Sequence, residues 1–144
     1  MGYFLGTWDF KGEAKPGPMG PGGPVTFRET CEMFQGGFAL VCRSEGKDPR
    51  GTSKSLSIMT YDTEKAAYSY TGVGNDAPVF VATGKVDGGT WNWTTESKRG
   101  GQVMKTKLTI KEGGPTSYDF KVDMSINRKP FAPMMEGKLT RTGS

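Results

Sequence analysis

The sequence has no histidine. Ser-His-Asp and Cys-His nucleophile systems, His-ligated haem and His-containing zinc sites are therefore excluded. Its two cysteines, Cys31 and Cys42, are too few for a thiolate metal cage, and no C-x-x-C spacing is present to serve redox catalysis. Aliphatic bulk is scarce. Leu, Ile, Val and Phe together make 24 of 144 residues, so Met, Trp and Tyr must supply much of the buried surface, the profile of a hollow barrel. Apolar runs such as Phe38-Ala39-Leu40-Val41-Cys42 fall far short of the roughly 20 residues a membrane helix needs. The 19 basic and 15 acidic residues are scattered, with no basic block and no aromatic-basic repeat, so a nucleic-acid footprint is missing. The opening Met1 to Gly6 lacks a secretory leader pattern, as a mature form freed of its leader would, and Gly6 stands where a myristoylation motif requires Ser or Thr.

What is present is rhythm. The 22 glycines and 9 prolines lie between apolar segments rather than in tracts. Segments rich in Thr, Tyr, Phe, Val and Trp recur between them at the spacing of a meander. The expected strands run Gly6 to Lys15, Val25 to Phe34, Phe38 to Ser44, Lys54 to Asp62 and Ala67 to Gly72. They continue Val79 to Val86, Thr90 to Ser97, Gln102 to Lys111, Ser117 to Ile126 and Met134 to Thr142. Period-two alternation assigns their faces. Trp8, Phe10, Gly12 and Ala14 oppose Asp9, Lys11, Glu13 and Lys15. Trp91 and Trp93 oppose Thr90, Asn92 and Thr94; Tyr118, Phe120, Val122 and Met124 oppose Asp119, Lys121 and Asp123. In the last strand Arg141 shares the apolar face with Met135, Gly137 and Leu139. Ten short-turned strands would leave unpaired edges unless the sheet closes. The expectation is an all-β chain, residues 1–144 as one domain, folded as a closed antiparallel up-and-down barrel.

Gly6-Thr7-Trp8 resembles the lipocalin G-x-W signature, in which the Trp plugs the closed end and a basic residue of the final strand packs over it; Arg141 is the matching residue. The loop Gly20-Pro21-Gly22-Gly23, the hairpin from Thr30-Cys31-Glu32 to Cys42-Arg43-Ser44-Glu45-Gly46, the run Met59-Thr60-Tyr61-Asp62 and the closing Met135-Glu136-Gly137 extend the likeness. Together they resemble an uncharacterised bacterial family of lipocalin-like, calycin-type domains, over nearly the whole chain. The resemblance implies the barrel, with Trp8 and Arg141 as structural residues, and carries no catalytic residues. It departs from the lipocalin pattern in lacking a lead-in segment before the first strand.

Candidate chemistry lies on the inward faces. A two-residue turn at Gly36-Gly37 sets Cys31 opposite Cys42 in a hydrogen-bonded pair; a four-residue loop would make the same pair non-hydrogen-bonded. The pair is either a disulfide, implying a periplasmic or secreted setting, or two reduced buried thiols in the cytoplasm. The same register puts Phe27, Glu29, Cys31, Met33, Phe38, Leu40, Cys42 and Ser44 on one face. Glu29 is thus a lone carboxylate on an apolar face. It either sits inside with a raised pKa, able to donate a proton or anchor a ligand hydroxyl or amine, or stays solvated at the rim beside Ser44. Tyr68, Tyr70, Trp91, Trp93 and Tyr118 are amphipathic aromatics that serve either a cavity or a packed core. Met19, Met104, Met124, Met134 and Met135 are adaptable fillers suited to a permissive pocket. The loop Pro16 to Pro24 is a candidate lid over the open mouth, or a solvated surface loop. Asn92-Trp93-Thr94 has the form of a glycosylation acceptor but falls mid-strand.

These residues point to a binding module for a small apolar or amphipathic ligand. Glu29, Tyr68, Tyr70, Trp91, Trp93, Met104 and Tyr118 contact that ligand, with no cofactor, no metal, no nucleic acid and no membrane span. The alternatives are an isomerase- or cyclase-type enzyme using Glu29 and a tyrosine as acid and base, and a structural or partner-binding barrel with a filled core.

Overall fold

Turn chemistry and strand alternation carry the chain around a closed ring. The computed structural model describes residues 1–17, 20–75 and 79–143. A 3-10 turn, Gly2–Phe4, leads into β1 (Gly6–Ala14), β2 (Gly23–Met33), β3 (Ala39–Asp48), β4 (Gly51–Asp62) and β5 (Ala67–Gly74). Then come β6 (Phe80–Asp87), β7 (Thr90–Arg99), β8 (Gln102–Glu112), β9 (Ser117–Ile126) and β10 (Ala132–Gly143). Each strand pairs antiparallel with its neighbours in sequence, and β10 returns to pair with β1, so the all-β sheet closes without an edge. The turns after β6 and β7 are two residues long, Gly88-Gly89 and Gly100-Gly101, all four at positive φ, which is what lets so tight a hairpin follow the sheet's twist. No helix among the described residues is long and apolar enough to cross a membrane.

Closure demands close approach. Gly12 and Gly137 face each other across β1 and β10 under the ring of Phe10. A Cβ on Gly12 would lie 2.6 Å from Phe10 Cζ and 2.3 Å from the Glu136 carbonyl oxygen, a separation no side chain tolerates. The largest fully buried side chains among the described residues are Trp8, Phe10, Leu40 and Leu139, and Trp8 and Phe10 lie on β1 itself. There the Trp8 Nε1–H donates to the Phe4 carbonyl at 3.0 Å. The Arg141 guanidinium lies over the Trp8 ring, 4.5 Å from its centroid, and donates to the Leu5 carbonyl at 2.8 Å and the Tyr3 carbonyl at 2.7 Å. Phe4 is buried and meets Trp91 and Tyr118 edge to face, centroids 5.2 and 5.4 Å away. The residues ahead of β1 therefore supply the lead-in that the sequence pattern lacked: one short turn is enough, because Arg141 and Trp8 bind its carbonyls.

Boundaries moved where backbone pairing outruns side-chain pattern. β3 extends to Asp48 because Glu45, Gly46 and Lys47 pair with Lys54, Ser53 and Thr52, although their polar side chains break the apolar alternation. The hairpin between β2 and β3 is the four-residue version. Phe34 N–H donates to the Ala39 carbonyl at 2.8 Å, leaving Gln35 to Phe38 as loop. Phe38, expected on the inner face, is 83% exposed at its tip. Cys31 and Cys42 oppose each other as a non-hydrogen-bonded pair, Cα atoms 4.1 Å apart, and form a disulfide.

Arg141→Ala should strip the cation from Trp8 and leave the Tyr3 and Leu5 carbonyls without their donor. Urea unfolding should show a loss of about 3 kcal/mol. A change within experimental error would mean the lead-in holds the barrel end without its clamp.

Candidate functional site

Above this plug the barrel is hollow. A cavity of about 400 Å³ runs from Phe4 and Tyr118 up to a mouth formed by Lys15, Gly20 and Pro21 of the first loop and Lys47 to Arg50 at the end of β3. Pro18 and Met19 of the expected lid lie outside the described residues. The space exists because several inward aromatic rings lie flat over glycines of the neighbouring strand instead of filling the lumen. Trp93 covers Gly84, where a Cβ would stand 2.5 Å from its ring; Phe80 covers Gly72 at the same distance. Gly46 lies against the Phe27 backbone instead, where an added Cβ would stand 2.3 Å from the Phe27 Cβ.

The lumen has two chemically different walls. One is apolar, with Leu108, Ile110, Phe120 and Leu139. The other crosses β2 to β5 and is polar at its centre: Glu29 opposes Ser44, and Ser44 opposes Ser55. All three line the cavity, as does Tyr70 on β5. Ser57 is buried nearby, its hydroxyl within reach of the Tyr70 hydroxyl.

Glu29 lies directly across β1–β2 from the fully buried Trp8, at the deep end rather than at the rim. Its carboxyl is enclosed by the barrel and opens only onto the cavity. Among the described residues, no hydrogen bond or ion pair reaches it, and burial alone pushes its pKa up to about 7. Burial also raises the Tyr70 hydroxyl far above its ordinary value; the Glu29 charge adds to this, and Ser57 offsets part of it. Tyr118 is raised in the same way, first by burial and then by Glu29 and Tyr70. At neutral pH the lumen therefore holds one group on the edge of ionisation between two phenols that keep their protons.

Of the residues singled out by sequence, Glu29, Tyr70, Trp93 and Tyr118 line this cavity. Tyr68 and Trp91 pack against each other, centroids 4.8 Å apart, and the Trp91 Nε1–H donates to Glu112 at 2.8 Å. Met104 pairs with Ser97 and Ile126, away from the cavity lining. Ser44 was legible beside Glu29, but the serines of β4 and the cations of the mouth did not stand out in the sequence. A signal was present for the serines: on β4, Ser53, Ser55 and Ser57 alternate with Lys54, Leu56 and Ile58, and the apolar pair Leu56 and Ile58 faces outward. The strand carries its small polar residues inside. The Glu29 carboxylate and the sulfurs of Cys31 and Cys42 lie within 4.8 Å of one another, but the sulfurs are bonded to each other and offer no thiolate to a metal.

Residues 1–141 match the family model described as Protein of unknown function (DUF1579). No curated protein matches the chain. Among solved structures it is similar to Rv2717c from M. tuberculosis, with 11% identity, 97% of this chain and 93% of that one covered, and a TM-score of 0.65. It is also similar to the S-type phycobiliprotein lyase CPES from Guillardia theta, with 11% identity, coverage of 99% and 90%, and a TM-score of 0.61. A third likeness is to EF1p2_mFAP2b bound to DFHBI, with 10% identity, coverage of 98% and 95%, and a TM-score of 0.52. At these identities the likeness is one of fold.

The raised Glu29 carboxyl makes stability depend on pH. Below its unfolded value of 4.5 both states are protonated and nothing is lost; between 4.5 and about 7 only the folded state keeps the proton, so stability falls as pH rises, and above 7 the whole cost is present. Relative to Glu29→Gln, the native chain should be about 3 kcal/mol less stable above pH 7 and equally stable near pH 4, read from paired urea titrations. Curves that stay parallel across that range would place the carboxyl in contact with water.

Proposed function

The chain belongs to the DUF1579 family of proteins of unknown function, and we propose, from its own interior, that it is a binding protein that holds a small, largely apolar ligand in the barrel lumen. The observation that carries this is the cavity itself. A protein interior packed to ordinary density leaves few voids larger than a water, whereas about 400 Å³ falls in the range of small-molecule sites. Aromatic and aliphatic residues make up much of its lining, with polar groups on the β2–β5 wall and at the mouth, the composition such sites use to orient a ligand. Two fold neighbours support the reading: one is a phycobiliprotein lyase and another is described bound to DFHBI. The ligand reaches the lumen through the mouth between the first loop and the β3–β4 turn, and Glu29 is its polar anchor.

One observation favours a second reading, catalysis on the same scaffold. A carboxyl near 7 that is electrostatically coupled to the tyrosines Tyr70 and Tyr118 is equipped to move a proton within an enclosed ligand. The two readings part on Glu29→Gln, which in an enzyme abolishes turnover while binding survives. The inward-facing disulfide supports export to an oxidising compartment such as the periplasm.

An uncharged apolar fluorophore should bind in the lumen, change the emission of Trp93, and be displaced competitively by apolar small molecules. Trp93→Ala should weaken that binding roughly tenfold and cost about 3 to 5 kcal/mol of stability while leaving a β circular-dichroism spectrum. Binding that survives Trp93→Ala unchanged would move the site out of the lumen.

A further inference from the structure

The Glu29 carboxylate is an enclosed acid with no hydrogen-bond or ion-pair partner among the described residues. The interior cation nearest to it by register, Arg141, is committed elsewhere, held over the Trp8 ring and by the carbonyls of Tyr3 and Leu5. Burial is the cause of the Glu29 shift, and among the described residues no ion pair to its carboxylate opposes it. At the mouth, Lys15 pairs with Glu136 at 3.5 Å, far from the depth at which Glu29 faces Trp8. Yet the surroundings of the carboxylate are those a cation needs. Tyr70, Trp93 and Tyr118 offer aromatic faces to the same space, and Ser44 and Ser55 line it on the Glu29 side with hydroxyl oxygens able to accept hydrogen bonds.

We propose that the ligand of this lumen is an apolar amine, its ammonium group seated against Glu29 and its apolar body lying along Phe27, Leu108 and Phe120 toward the mouth. This rests on the lumen being a binding site, and it names the chemical class that the site selects. An ammonium presents up to three N–H donors and no acceptor, which matches a wall made of one carboxylate and hydroxyls. A fatty acid entering head first would set two carboxylates together; entering tail first, it would leave Glu29 buried and uncompensated. A neutral alcohol satisfies a hydrogen bond without neutralising the charge. Desolvation that is a cost in the empty barrel becomes an advantage once the counter-ion arrives, because an ion pair in this enclosed space is screened less than in water.

The sign of the pH dependence separates these cases. The titratable groups facing Glu29 are Tyr70 on β5 and Tyr118 on β9, both raised well above the neutral range. Cys31 and Cys42 are bonded to each other, and Ser44, Ser55 and Ser57 do not titrate. Arg141 on β10 lies over Trp8, while Lys15, Lys47, Asp48 and Arg50 sit at the mouth. Glu29 is thus the group in the lumen that changes charge near neutrality. An ammonium binds the ionised form, so its affinity rises as pH climbs through about 7. A ligand that accepts a hydrogen bond from the protonated acid shows the opposite slope.

Decylamine, decanol and decanoate share one chain and differ in the head, and each can be titrated against an uncharged apolar fluorophore bound to the intact protein. At about pH 8 decylamine should displace it at concentrations roughly tenfold lower than decanol does, with decanoate weakest. The amine's lead should disappear in Glu29→Gln and, in the native chain, below about pH 6. The pH series alone decides the matter if the variant does not fold. Displacement by decanol or decanoate as tight as by decylamine at pH 8, or a lead that persists in Glu29→Gln, overturns the amine assignment and leaves the binding function standing. A fluorophore that never binds overturns both.

Discussion

A guanidinium pressed against an indole, 4.5 Å from the ring centroid, and tied to two backbone carbonyls holds together three parts of the chain that are remote in sequence: the lead-in, β1 and β10. The ring of strands can close only if the first and last strands meet, and they meet where Arg141 lies over Trp8. The same contact seals one end of the barrel, so the hollow above it becomes a pocket with a floor instead of a tube. Arg141 contributes more than a charge here. Its plane stacks on Trp8 while its fork reaches the Tyr3 and Leu5 carbonyls, a geometry that a lysine cannot reproduce. Phe4 then fills the remaining gap between Trp91 and Tyr118.

That floor determines the chemistry above it. Glu29 is level with Trp8, and with the base shut no water column reaches it from below. An open-ended barrel would hydrate the carboxylate and return it to its ordinary range. The electrostatic character of the lumen thus follows from a packing arrangement at its far end, which encloses the Glu29 carboxyl from below.

Much of this was legible in the sequence, and the parts that were not share a cause. Strand order, the closed ring and the inward faces of β1, β7 and β9 followed from strict alternation bounded by glycine-rich turns, a local signal. The register of Cys31 with Cys42 could be read as well, since either loop length gives it; which loop forms could not, because Phe38 looks like a strand residue until the backbone turns it outward to 83% exposure. The β4 part of the polar wall was hidden for a related reason. Serine on a strand is ordinarily read as a solvent-facing residue, and on β4 that reading inverts, with Leu56 and Ile58 partly exposed outside. Hydrophobic patterning reports which face is apolar, and it misleads where a strand turns its small polar residues inward. The mouth cations were invisible because Lys15, Lys47 and Arg50 come from two different connections that meet only in the closed ring.

The glycines beneath Phe80 and Trp93 have a consequence for fidelity of assembly. A strand that slips by one residue turns its apolar side chains outward and is rejected by the hydrophobic effect. Slippage by two residues preserves every inside and outside assignment, so burial cannot detect it. The aromatic rings can. Each of these two rings fits only where its cross-strand neighbour has no Cβ, as Trp93 does over Gly84 and Phe80 over Gly72. A two-residue slip would drive a side chain into the ring at such a position. These glycine–aromatic pairs thus act as a vernier that rejects the one class of misalignment to which an alternating pattern is blind.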